Sequence, residues 1–351
     1  MPERSVRVDH ADLQRFVTEA FQAKGMSAAD AGVVADALVW SNLRGGDGHG
    51  VVRVPRYLEM IDRGDMDPRG RTRIVIERDA FFILDAGRTA GPIAMMDAVA
   101  IATERARKHG ATIGIMRGAT HAGAIGRYAH WVVEQGCACI ILAAAFPFMP
   151  YHGTRKASLP TAPVVMAVPT ERHGPVVLDM ASSIVAMGKI LTARAKGEAL
   201  EEGVALDADG HLTTDAKKAV MPLPLGGPKG SGLSLMIELL AGVLGGNSIL
   251  TRVLGPERST SNSQNALIAV MDIAAFRPDG KFAEDADGLA DLIKQLPLRE
   301  GFDEVLLPGE RGGRTEKLRR QTGIPIPAGT WNALKETADA LKVTLPKDQG
   351  G

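Results

Sequence analysis

Apolar residues recur at helical spacing near the start of the chain, where Leu13, Phe16, Val17, Ala20 and Phe21 form one stripe that Gly25 ends. Ser27, with Asp30 three residues on, makes a capping-box-like start for a second helix. That helix runs towards Asn42 and breaks in the glycine-rich stretch Gly45–Gly50, so the opening segment is expected to be a helical hairpin. Thr72–Glu77 and Phe81–Asp85 read as two strands joined by a tight, charged turn. A long helix follows, with Pro92 in its first turn and Gly110 as its stop. Arg105, Arg107, Lys108 and His109 crowd its last turn, where the helix dipole favours cations. Ala111–Met116 then reads as a strand, His121–Gln135 as a helix with Thr120 as N-cap, and Ile140–Phe146 as a buried strand.

Two more strands, Val164–Pro169 and Pro175–Met180, are separated by a hairpin-like Thr170–Gly174. Leu233–Leu244 is a strongly apolar helix closed by Gly245 and Gly246, Ala266–Ile273 another buried strand, and a final helix begins near Trp331. No internal repeat or low-complexity tract interrupts this order. The hairpins argue for an α/β (α+β) chain with a mixed, largely antiparallel sheet, not a regular run of strand–helix–strand units. A single core rarely grows beyond about 250–300 residues, so 351 residues imply two lobes.

Composition narrows the partners. Lys plus Arg equals Asp plus Glu at 41 each, which leaves no basic surplus to neutralise phosphates and argues against nucleic acid. Low net charge also permits self-association. Only Cys137 and Cys139 occur, inside an apolar run, which fits a reducing compartment. The N-terminus lacks the apolar stretch of a signal peptide, and no apolar segment is long enough to span a bilayer. A cytoplasmic protein without membrane contact is expected.

Four segments could carry chemistry. Gly45–Gly50 is followed by Arg53 and Tyr57, and His49, Arg53 and Tyr57 recur every four residues. On one helix face they would offer a proton donor, a carboxylate fork and a phenol to a small anionic substrate. The plainer reading is a flexible loop with a solvated histidine. In Thr120–Tyr128, His121 would sit in a first helical turn, whose dipole lowers an imidazole's pKa and suits it to acid–base work. Otherwise it is a capping-turn histidine bonded to backbone. Gly226–Gly232 places Lys229 and Gly230 at the start of an apolar helix, an anion site such as a cofactor pyrophosphate needs, or simply a glycine-rich turn. Leu178–Ser183 puts Asp179 at a strand end, where it could orient an imidazole, accept from a ribose, or cap the next helix.

Several signals are missing from the sequence. There is no Gly-x-Gly-x-x-Gly after a strand, no Walker A loop, no Cys/His cluster at zinc spacing and no Gly-x-Ser-x-Gly elbow, so no metal is expected. His10, His109, His130, His173 and His211 lie in contexts that need no catalytic role, while His152 remains open.

In order, these segments resemble the type 2 malate/L-lactate dehydrogenase family, whose members include ureidoglycolate dehydrogenase, 2,3-diketo-L-gulonate reductase, sulfolactate dehydrogenase and a reductase of cyclic imino acids. The likeness runs from about Leu13 to Ile324: Asp47–Val51 with Arg53, Pro55 and Tyr57; Thr120–Ala124 with Gly126 and Tyr128; Ala167–Pro169; Leu178–Ser183 with Gly188-Lys189; Lys229-Gly230; Leu307–Arg311; and Gly323-Ile324. It implies a non-Rossmann NAD(P)-binding fold, and a homodimer with its active site between lobes. Those lobes would be residues 1–118 with 280–351 for substrate binding and dimerisation, and 119–279 for NAD(P). It also implies acid–base or substrate-binding roles for His49 and His121 and a carboxylate grip for Arg53. Asp179, Met180, Ala181, Lys229, Gly230, Gly309, Glu310 and Arg311 match the family's cofactor-contacting segments.

The expected reaction is hydride transfer between NAD or NADP and C2 of a small 2-oxo or 2-hydroxy carboxylic acid, with His121 ahead of His49 in handling the proton and Tyr57 among the substrate contacts. The alternatives are reduction of a cyclic imine-2-carboxylate, or a drifted member with weak or no turnover. Gly48 and Ala162 stand where the family usually has Ser and Asn, which removes two polar groups and points either to a bulkier, less polar substrate or to weakened activity.

Overall fold

The computed structural model describes residues 5–256 and 263–350. A short strand β1 (Val6–Val8) precedes the helical hairpin α1 (His10–Ala23) and α2 (Ala28–Leu43). Asp9 caps the first helix and Ser27 the second, where it accepts the Asp30 N–H at 3.1 Å. Next come α3 (Val54–Asp62), β2 (Arg73–Glu77), β3 (Phe81–Asp85), α4 (Gly91–His109), β4 (Ala111–Ala119), α5 (Gly126–Glu134) and β5 (Cys137–Ala144). The middle of the chain holds β6 (Met149–Pro150), β7 (Ala157–Leu159), β8 (Pro163–Val168), β9 (Val176–Ala181), α6 (Met187–Lys196), β10 (Ala205–Leu206) and β11 (Met221–Pro222). It closes with α7 (Pro228–Ile237), α8 (Ile249–Leu254), β12 (Gln264–Asp272), α9 (Ile273–Phe276), α10 (Phe282–Lys294), α11 (Glu310–Thr322), β13 (Ile324–Ile326) and α12 (Ala328–Leu341).

Seven strands form one mixed sheet in the order β2-β3-β4-β12-β5-β8-β9. Only β3 and β4 run parallel within it, with α4 as the crossover that a parallel pair requires. The mixed, mostly antiparallel sheet is therefore as expected. Helices α4 and α5 cover one face, burying Phe82, Met95, Met116, Tyr128 and Ile141. The other face is covered by α7 and its π-helical continuation Glu238–Val243, with Ile237 and Ala241 against Ala144 and Val164. Helices α1, α2, α3 and α12, with the β1–β13 pair, enclose a second core around Phe16, Phe21, Leu38, Tyr57 and Trp331. Each large apolar side chain buried this way contributes about 1.5–3 kcal/mol. Strands β2, β3 and β4 pair into the same sheet as β12, β5, β8 and β9, although they come from the first 119 residues.

Two elements differ from expectation. The helix expected from His121 starts only at Gly126, because Gly123 takes φ of 73° and residues 120–125 form an irregular loop. Thr120 does not cap α5. Its hydroxyl accepts the Gly91 N–H at 2.9 Å, at the start of α4. The apolar helix expected over 233–244 begins at Pro228 and turns π-helical from Glu238, whose buried carboxylate accepts the N–H groups of Ile249 and Leu250. Cys137 and Cys139 are free thiols buried in β5.

Candidate active site

The glycine-rich stretch after α2 is not a loose loop, because it wraps around the end of that helix. Ser41 donates to the Gly46 carbonyl at 2.6 Å, while Asn42 donates to Asp47 at 2.7 Å and accepts the Val51 N–H at 2.8 Å. Arg319 of α11 reaches Asp47 at 2.7 Å. A Cβ at position 50 would lie 2.1 Å from Asn42 Oδ1, so only glycine permits this approach. The chain then makes two 3₁₀ turns, Asp47–His49 and Val51–Arg53, before α3 begins. His49, Arg53 and Tyr57 thus do not share one α-helical face, contrary to their spacing. They converge all the same.

The point of convergence is the 120–125 loop. The rings of His49 and His121 are nearly parallel, 11° apart with centroids separated by 5.4 Å. The Tyr57 hydroxyl lies 2.6 Å from His121 Nδ1 and 2.8 Å from its carbonyl oxygen. Tyr57 is buried, so its phenol is spent on His121 and is not open to solvent. Arg53 donates through Nε to the Gly48 carbonyl at 2.8 Å, and among the described residues its two Nη groups have no hydrogen-bond partner.

Electrostatics keep this niche neutral. Burial, then the neighbouring His49 and Arg53, holds His121 well below the ordinary imidazole range. His121 does not sit in a first helical turn, because α5 starts five residues further on. Crowding by protein and then the Arg53 charge bring His49 down to about 4. His49 lies at the mouth of the niche, exposed to solvent on its outer side. Both imidazoles are therefore neutral at pH 7. Burial pushes the Tyr57 phenol up, so it stays protonated.

Several of the remaining candidates lie on β9 or pack against its ends. Gly309 packs beside Val177, whose N–H donates to the Pro308 carbonyl at 3.0 Å. Asp179 accepts the Gly126 N–H at 3.0 Å and so caps α5, an earlier helix and not the next one. Met180 packs into the core beneath α7, and Ala181 pairs with Pro163. Gly230 is a packing residue, since a Cβ there would come within 2.5 Å of the Ser182 carbonyl oxygen. The Gly48 turn closes the ring of contacts: a Cβ at 48 would lie 3.9 Å from Gly188 Cα, so the missing serine reflects no lack of space. Ala162 is fully buried in the core under α7.

Glu310 is committed to structure, bonded to Lys294 at 2.7 Å and Arg314 at 2.6 Å. Lys229 and Arg311 are exposed, and no side chain caps the first turn of α7. The N–H groups of Lys229, Gly230 and Ser231 already donate to the carbonyls of Gly226, Leu225 and Gly227, so it is the two exposed cations that suit the diphosphate of a dinucleotide, and in charge they fit that cofactor. His152 stands at this same helix start, its N–H donating to Ser231 at 2.9 Å. Sequence reasoning missed Ser41, Asn42 and Arg319, whose only signal was polarity at the end of an apolar helix or on a charged one.

Comparison with known proteins decides the family. The family model described as malate/L-lactate dehydrogenase matches residues 8–335. The chain belongs to this family. It is 32% identical to malate dehydrogenase of Pyrococcus abyssi, covering 97% of this chain and 96% of the relative. The sulfolactate dehydrogenase of Methanocaldococcus jannaschii has a solved structure that superposes with a TM-score of 0.86 at 30% identity, over 97% of this chain and 98% of the other. A Δ1-pyrroline-2-carboxylate/Δ1-piperideine-2-carboxylate reductase of Pseudomonas putida is 29% identical over 94% of this chain and 96% of the relative. As a member of the malate/lactate dehydrogenase family, the chain is an oxidoreductase that works with NAD or NADP. Among the described residues, no helix is long and apolar enough to cross a membrane.

Proposed function

We propose that this enzyme transfers a hydride between NAD(P)H and C2 of a small 2-oxo or 2-hydroxy carboxylic acid, as a cytoplasmic homodimer. The observation that carries the reading is the pair of neutral imidazoles 5.4 Å apart, in a niche where the Arg53 charge reaches both. Arg53 grips the carboxylate through its Nη groups, a two-pronged contact that lysine would replace poorly. Tyr57 engages His121 Nδ1 and so leaves Nε2 to exchange a proton with the substrate oxygen. In oxidation the neutral His121 takes the hydroxyl proton. In reduction it must first be protonated, so reduction is favoured at lower pH.

The nicotinamide supplies or accepts the hydride when bound. Lys229 and Arg311 would hold its diphosphate, with the backbone at Gly230, Gly309 and Asp179–Ala181 shaping the rest. Glu310 would act through the scaffold of that segment. Self-association is supported by an exposed apolar stripe on α7 and its continuation, comprising Leu233, Met236, Leu239, Val243 and Leu244.

The likeness to the Pseudomonas putida reductase favours one second reading, reduction of a cyclic imine beside a carboxylate. The test follows NAD(P)H absorbance across 2-hydroxy acids, 2-oxo acids and cyclic imine-2-carboxylates, with both cofactors. Turnover of hydroxy and oxo acids is the expected result. Turnover of imines alone would move the assignment to the second reading. Cofactor binding by calorimetry without product from any of them would overturn both and leave a dinucleotide-binding protein.

A further inference from the structure

The structure assigns to Gln264 the task of holding the His121 loop in place, a positioning role that rests on the reaction proposed above. Residues 120–125 belong to no helix or strand, so side chains that reach into the loop help to hold its shape. Tyr57 takes the His121 carbonyl, the Tyr128 hydroxyl takes the Ala122 carbonyl, and Thr120 bonds the start of α4. The Ala122 N–H donates to Gln264 Oε1 at 2.8 Å. Among the described residues, this is the one side-chain bond that ties residues 120–125 to β12.

A bulge makes that reach possible. The register of β12 against β4 breaks between Gln264 and Ala266, a device that redirects side chains near functional sites. Two consecutive amides then serve two parts of the same connection. Fully buried Asn265 accepts the Gly118 N–H at 3.0 Å and is braced by Asn247, while Gln264 reaches four residues further along the chain to Ala122. The sheet thereby fixes the peptide next to His121, and His121 must meet a substrate oxygen within hydrogen-bond distance. A shift near 1 Å in such a group costs about 10²-fold in rate.

Two variants test this. Gln264→Leu removes the acceptor. It should lower kcat by about 10- to 10²-fold with the cofactor KM unchanged, and shift the His121 ring resonances in NMR titrations. Gln264→Glu still accepts the Ala122 N–H and adds a negative charge. It should retain most of the rate, raise the pKa of His121, and move the acid limb of the oxidation profile up by about one pH unit. Wild-type kcat and an unchanged His121 titration in Gln264→Leu would overturn the role. Loss of thermal stability in Gln264→Leu with no shift of the pH profile in Gln264→Glu would also overturn it, leaving a purely structural bond. If no substrate is turned over by the wild type, the proposed reaction fails. The NMR titrations of His121 in the two variants then decide the role of Gln264 on their own.

Discussion

Around His121 the ionisable groups are crowded by protein with no opposite charge to answer them, whereas around Glu310 each charge is answered by another. Glu310 is partly buried, which pushes its carboxyl up, but hydrogen bonds from Lys294, the Leu307 N–H and Arg314 outweigh that and hold it down to about 2. Arg314 in turn grips Glu304 at 2.6 and 2.7 Å. A group committed this way has most of its acceptor capacity taken up by the protein. In the niche, crowding by protein and the nearby Arg53 charge leave His49 and His121 neutral, each able to take up one proton and release it. Position in a shared sequence motif therefore does not reveal whether a polar residue is spent or free, and its partners do.

The largest effect that could break this contrast is on rate. His121→Ala should cut turnover by about 10²–10⁴-fold while leaving dinucleotide affinity nearly intact, as expected for loss of an acid–base group. His49→Ala, measured beside it, ranks the two imidazoles. Near-normal kcat in both variants would mean that the niche is not where the proton moves. Calorimetric titration of the cofactor into the same preparations keeps a folding failure from being read as a chemical one.

Glu310→Gln probes the other region and should give the opposite pattern, a loss of stability with kcat preserved. The carboxyl is depressed to about 2 in the folded chain against 4.5 ordinarily, so its stabilising contribution is complete above pH 4.5 and is lost as pH falls towards 2. Allowing for solvent screening at a partly exposed site, that contribution is about 1–3 kcal/mol. Urea denaturation at pH 7 and pH 3 should show wild type and variant converging in acid. A variant that keeps its stability but loses cofactor affinity would instead make Glu310 a direct ligand contact.

Much of this was legible in advance. The hairpin β8–β9 and the capped start of α2 followed from period-two and helical patterning with local punctuation, signals that reside in a few adjacent residues. The niche was legible as a set of residues but not as a geometry. Spacing by four suggested one helix carrying His49, Arg53 and Tyr57, and the chain instead makes two 3₁₀ turns because Asn42 pulls the Gly50 backbone against α2. His121 looked like a helix-start residue, yet Gly123 turns left-handed and delays α5. The supports of the site, Asn42, Arg319 and Gln264, lie 70 or more residues from His121 in sequence, and no local period reports a contact of that range. Spent residues such as Glu310 were illegible for the same reason, since Lys294 lies 16 positions away.

The smallest effect comes from a third imidazole that serves as a control on the first two. His130 lies buried in α5 with its ring edge-on to Trp40, centroids 5.2 Å apart, and its Nε2 finds no hydrogen-bond partner among the described residues. Burial, then the Arg44 charge, lowers it to about 4, so it too is neutral at pH 7 but far from spent or useful: it only packs. Because the unfolded chain binds that proton more readily, the folded state loses stability as pH falls from 6.5 towards 4. The penalty reaches about 3 kcal/mol at the lower end. His130→Phe keeps the aromatic contact and removes the proton site. At pH 7 stability should change by less than about 1 kcal/mol and kcat not at all, while the acid limb of the stability profile between 6.5 and 4 becomes flatter. If turnover falls in this variant as it does in His121→Ala, burial of a neutral imidazole is not what separates the two regions, and His130 belongs with the niche.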